Sequence, residues 1–181
     1  MVRFTGLMAG IVLGYASVAP EPALGQVQFE QTFRADLRGF NEVPSISTSG
    51  TGRFEAELIP EDSSIEYTLR YSGLESAVTA AHIHFSQAAT NGGIIVFLCT
   101  NLDDGPAGTQ ACPEGDGEIT GVITADDVLG SADQGLDSGA FDQLLQAMLD
   151  RATYANVHTE VHGAGEIRGQ IMPNPSEVVG E

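Results

Sequence analysis

The chain has 181 residues, with 25 acidic residues against seven arginines and no lysine, for a formal charge of −18. So acidic a surface repels phosphate, which excludes nucleic acids and anionic membrane surfaces as partners. The length suits one domain, and 22 glycines among short apolar runs speak against both a helical bundle and a disordered chain.

In chain order, Met1-Val2-Arg3 and an uncharged, mostly apolar stretch from Phe4 to Val18 precede Pro20-Glu21-Pro22 and the small-residue site Ala23-Leu24-Gly25. That order predicts a secretory signal peptide over residues 1–25. The stretch is too short and too glycine-rich for a transmembrane helix. The expected product is a secreted or periplasmic domain over residues 26–172, followed by a flexible tail over residues 173–181 that carries two prolines.

Apolar residues then alternate at Val27 and Phe29, at Phe33, Ala35 and Leu37, at Phe54, Ala56 and Leu58, and at Ile65, Tyr67, Leu69 and Tyr71. A period of two marks half-buried strands. Turn signals separate them at Pro44 to Gly52, Pro60 to Ser64 and Ser72-Gly73. Further strands are expected at Ala80 to Phe85, Ile94 to Cys99, Glu118 to Thr124, Tyr154 to Thr159 and Glu166 to Ile171. The predicted fold is mainly β, an antiparallel Greek-key β-sandwich of about eight strands with one helix. That helix comes from the spacing of Phe141, Leu144, Leu145, Met148 and Leu149 between Gly139 and Arg151, with Asp137 or Ser138 as its N-cap. A helical turn is expected at Thr124 to Leu129. The pattern G-E-I-x-G-x-I recurs at Gly117 to Ile123 and Gly165 to Ile171, suggesting close backbone approach or a bulge in equivalent positions of a pseudo-symmetric sheet.

Cys99 and Cys112 bracket the polar segment Thr100 to Ala111. In an oxidising compartment a disulfide closing this loop is the expected state, because thiolate metal sites usually recruit a close Cys pair.

The four histidines fall in two short segments. His82 and His84 lie two apart in a strand, so both imidazoles leave the same face of the sheet. His158 closes the strand from Tyr154, and His162 follows four positions later, ahead of Gly163 to Gly165. His82, His84, His158 and His162 are the expected metal ligands. Four nitrogen donors favour copper, with zinc on three histidines and an open position as the alternative. Glu160 and Glu166 are expected to support ligands or to sit at the surface. Arg168 shares a strand face with Glu166 and Gln170 and is the candidate catalytic residue, drawing an anion to the metal; the alternative is structural pairing with a carboxylate. No G-x-S-x-G, P-loop or H-E-x-x-H pattern occurs, and Asp103-Asp104 and Asp126-Asp127 lack the spacing of a calcium loop.

These residues resemble the CHRD family, named for its repeats in chordin and found singly in bacterial exported proteins. The resemblance runs from about Phe33 to Ile171. It is carried by Leu37-Arg38-Gly39-Phe40-Asn41-Glu42-Val43-Pro44, by Ala81-His82-Ile83-His84, by Asn91-Gly92-Gly93, and by Tyr154 to Gln170 with Asn156-Val157-His158-Thr159 and Gly165-Glu166-Ile167-Arg168-Gly169-Gln170. The family usually has proline after the position of Gly93 and often near Gly163, and both departures fall in loops. The resemblance implies a β-sandwich, and the fold is also similar to the copper-zinc superoxide dismutase sandwich, which likewise uses an H-x-H strand. The role of chordin in binding signalling ligands does not transfer to particular residues here.

The leading expectation is an exported, copper-only protein that dismutates superoxide at a four-histidine site. Its charge of −18 opposes an anionic substrate unless Arg168 focuses the field locally. Copper buffering or delivery without turnover uses the same ligands. An extracellular structural or interaction module without metal, its histidines hydrogen-bonded across strands, is the reading from another class. The residues specify no protein partner.

Overall fold

The computed structural model describes residues 28–174 and 177–179. The expected signal segment, residues 1–25, lies outside the described residues. Within them the elements run β1 (Gln28–Glu30), β2 (Thr32–Arg38), β3 (Thr51–Ile59), β4 (Ser64–Ser72), β5 (Val78–Phe85), β6 (Gly93–Thr100), β7 (Gly117–Ile123), α1 (Phe141–Leu149), β8 (Thr153–Thr159), β9 (Ile167–Gln170), β10 (Met172–Pro173) and β11 (Glu177–Val179). The eight strands expected from alternation are β2 to β9. Among the described residues no helix is long and apolar enough to cross a membrane.

The main sheet is antiparallel in the order β6-β5-β8-β9-β2-β3-β4-β7, with β10 also on β2. The crossings from β4 to β5 and from β7 to β8, each passing two strands of the curled sheet, give the Greek-key connectivity. The sheet curls until its two ends nearly meet, and Gln110 bridges them. Its Nε2 lies 3.2 Å from the Leu98 carbonyl of β6, 3.1 Å from the Thr120 carbonyl of β7 and 3.0 Å from the Tyr67 hydroxyl. The Cys99–Cys112 disulfide ties this same segment back to β6, as the loop composition predicted.

Alternation holds where one face of the sheet meets solvent. Phe33, Ala35 and Leu37 of β2, Phe54 and Ala56 of β3, and Ile65, Tyr67, Leu69 and Tyr71 of β4 all enter one apolar core. The outward residues of these strands and of β7 form an exposed ladder of ion pairs, Arg34–Asp36, Arg53–Asp36, Arg70–Glu55 and Arg70–Glu118. Strands β5, β8 and β9 are different, because both of their faces are buried. One face gives Ala81, Ile83, Ala155, Val157 and Ile167 to the core, and the other carries His82, His84, Tyr154, Asn156 and Arg168. A covered polar face is what an ordinary half-buried strand lacks, and it is where the histidines lie.

Helix α1 buries Phe141, Leu144, Ala147 and Met148, in keeping with the spacing that predicted it. Its N-cap is Ala140, with no side-chain cap. Asp137 and Ser138 do not serve because the helix begins only at Phe141, and the Ser138 hydroxyl donates to the Val128 carbonyl instead. The helical turn expected after Thr124 is a 3₁₀ turn over Ala125–Asp127, closed by a capping box between Thr124 and Asp127. The chain from Pro173, expected to be a flexible tail, is paired where it is described: β10 joins β2, Asn174 N–H donates to the Thr32 carbonyl, and β11 pairs with β1. The repeated glycine pattern does not mark equivalent places. Gly117 and Gly121 lie under the rings of Tyr71 and Tyr67 on the terminal strand β7, whereas Gly169 on the internal strand β9 lets the Asp36 carbonyl approach.

Candidate metal centre

Strand β8 lies between β5 and β9. The register sets His82 opposite Asn156 and Asn156 opposite Arg168, with His84 opposite Tyr154 in the adjacent row. Ala80 stands opposite His158, so no bulky side chain separates that imidazole from His82, its diagonal neighbour, and the two ring centroids are 4.9 Å apart. On the other side of β5 the pairing with β6 slips at Ala81/His82 and again at Ile83/His84. Such bulges twist a strand and re-aim its side chains. Here they flank both histidines, while the extra residues of β6, Ile95 and Leu98, are buried in the core.

His82, His84 and His158 each bring a ring nitrogen to within 4.8 Å of the others. His84 Nδ1 lies 3.0 Å from the Gly92 carbonyl, and His158 Nδ1 lies 3.1 Å from the Gly163 carbonyl. A carbonyl only accepts, so in each neutral ring the proton sits on Nδ1 and Nε2 keeps a bare lone pair. Burial holds these rings neutral. It pushes His82 down to about 3, with help from the neighbouring His158 and His84, and His84 down to about 4. His158 moves in the same direction for the same reason. Neutral imidazole is the form that ligates a metal.

His82 Nδ1 lies 3.1 Å from His158 Nε2. With no proton on His158 Nε2, His82 donates across this gap from Nδ1, which leaves its own lone pair on Nε2. The Nε2 atoms of His82 and His84 are buried without a hydrogen-bond partner among the described residues, on side chains only 4% and 7% exposed. Buried polar atoms are nearly always satisfied, so two orphans in one cluster are compatible with a metal ion held there.

The rest of the polar face is built around Tyr154. Its ring stacks on His84, with centroids 4.7 Å apart and planes 1° apart, and the Arg168 guanidinium covers it at 3.3 Å. Arg168, 1% exposed, donates to Asn91 Oδ1 at 3.1 Å, to the Gln87 carbonyl at 3.2 Å and to the Thr90 carbonyl at 2.6 Å. All three acceptors belong to the turn between β5 and β6, and Asn91 in turn donates to the Val43 carbonyl at 3.1 Å. Two loops are thereby fastened over the histidine face. Glu42, next to Val43, is buried with its carboxylate against Gly165 and beside Asn156. Burial pushes it up to about 7, against the opposing pull of the Arg168 charge.

Of the four expected ligands, the structure brings together His82, His84 and His158 and leaves His162 outside. His162 Nε2 pairs with Glu75 Oε2 at 2.9 Å. The reason is the turn after β8: Glu160 N–H donates to the Ala77 carbonyl and Val161 N–H to the Ser76 hydroxyl, which carries His162 toward the 75–77 segment. Glu160 is exposed. Glu166 is buried, accepting from the hydroxyls of Thr48 and Thr159 and from the Glu75 N–H, so it ties loops together and does not pair with Arg168. Sequence reasoning passed over Tyr154 and Asn156 as site residues, although the rule that pairs His82 with His84 also puts both on the face of His158. Glu42 arrives on a loop, and no periodicity announces it.

A family model described as the CHRD domain matches residues 33–171. The chain belongs to the CHRD domain family. Comparison with curated proteins and with solved structures returned no match. The matched span runs from β2 through β9 and so contains the whole histidine cluster and the loops that cover it. Within that span Ala81-His82-Ile83-His84 supplies two imidazoles, Asn91-Gly92 holds Arg168 and His84, and the segment from Tyr154 supplies the stacked ring, Asn156 and His158. CHRD domains occur in extracellular proteins, and the Cys99–Cys112 disulfide fits a secreted one.

Proposed function

We propose that this CHRD domain is an exported protein that holds one copper ion on His82, His84 and His158. The observation that carries the reading is the pair of buried, partnerless Nε2 atoms beside a third neutral imidazole. Each orphaned nitrogen costs about 1–3 kcal/mol in the metal-free fold, and coordination removes that cost. Imidazole donors suit copper and zinc, and the Irving–Williams order puts Cu(II) above Zn(II) at such a set.

The surroundings support holding the ion over turning over a substrate. Superoxide dismutation, the concrete reaction suggested by the sequence, needs an anion to reach the metal. Arg168 is buried and committed to three oxygens, and the net charge of −18 repels anions. Copper buffering or delivery is therefore the reading, with dismutation as the competing outcome of the same experiment. Metal-free protein is offered Cu²⁺, passed through a desalting column and analysed for metal, alongside His82→Ala. One copper per chain in the wild type, lost in the variant, and no superoxide removal by the loaded protein is the expected result. Superoxide removal would convert the reading to dismutase. No retained copper would leave a structural extracellular module in which His82 and His158 are hydrogen-bonded across strands.

A further inference from the structure

Three imidazoles leave a four-coordinate ion one donor short, and the polar face offers one more oxygen in the same place. Asn156 Oδ1 lies 3.1 Å from His158 Nε2, the same distance that separates His82 Nδ1 from that atom. His82 can donate a proton across its gap. An amide oxygen cannot, and the His158 proton is already committed to the Gly163 carbonyl on the far side of the ring. Two lone pairs thus face each other at hydrogen-bond distance on a residue only 2% exposed. A cation between them, or rotation of the amide, relieves this repulsion. Rotation is opposed from behind. A Cβ built on Gly165 would touch Glu42 Oε1 and lie 3.0 Å from Asn156 Nδ2, so the amide nitrogen and the carboxylate share that corner. Turning the amide over would give up the hydrogen bond that Asn156 makes to the Glu42 carboxyl group.

We infer that Asn156 Oδ1 is the fourth ligand, making the centre a three-nitrogen, one-oxygen site whose amide is oriented by Glu42. This rests on the metal reading of the three imidazoles and adds a residue to it. The donor set is hard at one corner, which suits Cu(II) better than Cu(I).

The test uses Cu²⁺ itself, with affinity from competition against a chelator and the ligand field from the parallel hyperfine coupling in electron paramagnetic resonance, on wild type, Asn156→Leu and Asn156→Asp. The leucine variant should keep one Cu²⁺ on three imidazoles, bind it at least about tenfold more weakly and show an altered hyperfine coupling. The aspartate variant, which places an anionic oxygen at the same corner, should bind more tightly than wild type and also change the coupling. A leucine variant equal to wild type in affinity and spectrum would overturn the assignment while leaving the three-histidine site intact. Should the leucine variant fail to fold, the aspartate variant decides alone: tighter binding with a changed spectrum supports ligation, and unchanged or weaker binding overturns it. Wild-type protein that retains no copper would overturn the three-histidine reading itself, and this assignment with it.

Discussion

Replacing His82 by leucine should make the metal-free protein more stable, not less. The side chain is 4% exposed, its Nε2 has no partner, and its ring packs edge-on against Phe97 with centroids 4.4 Å apart. Leucine has a similar volume and keeps the contact with Phe97. It removes one orphaned polar atom, worth about 1–3 kcal/mol, and gives up the contact to His158, worth about 1 kcal/mol. The net expectation is a gain of about 1 kcal/mol, or about 2–4 °C in Tm for a domain of this size. With free Cu²⁺ at about one hundred times Kd the order reverses, because the wild type gains about 2.7 kcal/mol from binding that the variant cannot match. Urea unfolding with chelator and with Cu²⁺ gives both numbers on the same preparations. A metal-free variant less stable than wild type by more than about 1 kcal/mol would refute the reasoning, since His82 would then be a satisfied structural residue.

Gly92→Ala should weaken copper binding about tenfold, because its Cβ would collide with the Phe85 carbonyl and displace the Gly92 carbonyl that orients His84; Cu²⁺ competition titration reads this directly. Arg168→Met should cost about 3–5 kcal/mol and lower copper retention in parallel, since it strands three oxygen acceptors and uncovers the Tyr154 ring; unchanged Tm with lower superoxide removal per copper would restore an anion-guiding role to Arg168. Reducing or deleting the Cys99–Cys112 bridge, which closes a loop of about 14 residues, should cost about 3 kcal/mol, measured as the shift in denaturant midpoint. Stability of the metal-free protein should fall on acidification below pH 6.5. His82 and His84 stay neutral in the fold down to about 3 and about 4, so the stability they provide is present above 6.5 and lost as the unfolded chain takes up protons. Glu42 acts in the opposite sense: raised from 4.5 to about 7, it favours the fold below about 4.5 and loses that contribution as pH rises through 7. His82 and His84 against Glu42 leave at least about one proton taken up on unfolding near pH 5, a slope of at least about 1.4 kcal/mol per pH unit, to which His158 adds in the same direction. Glu42→Gln should steepen that slope toward twice the value, and identical slopes in the two proteins would contradict the assignment.

What could be read from the sequence is what short-range geometry dictates. Strands β2 and β4 announce themselves because one face of each meets solvent, so Phe33, Ala35 and Leu37 or Ile65, Tyr67, Leu69 and Tyr71 must recur at every second position. The pairing of His82 with His84 on one face follows from the same period of two, and helix α1 from the period of its apolar residues. Two cysteines allow one bridge. The tertiary structure decided everything that depends on which loop covers which face. His158 reaches His82 because β8 pairs with β5 at a register set by contacts far apart in the chain, while His162, four residues on, follows its turn to Glu75. Arg168 sits on the polar face that alternation assigned to it, yet the turn between β5 and β6 closes over that face and takes up its donors. Glu42 and Asn156 meet at Gly165 only after three separate segments have packed. Periodicity is a property of one strand and its immediate surroundings, whereas the burial of a polar face, and with it the neutral state of the imidazoles, arises only when distant segments enclose it.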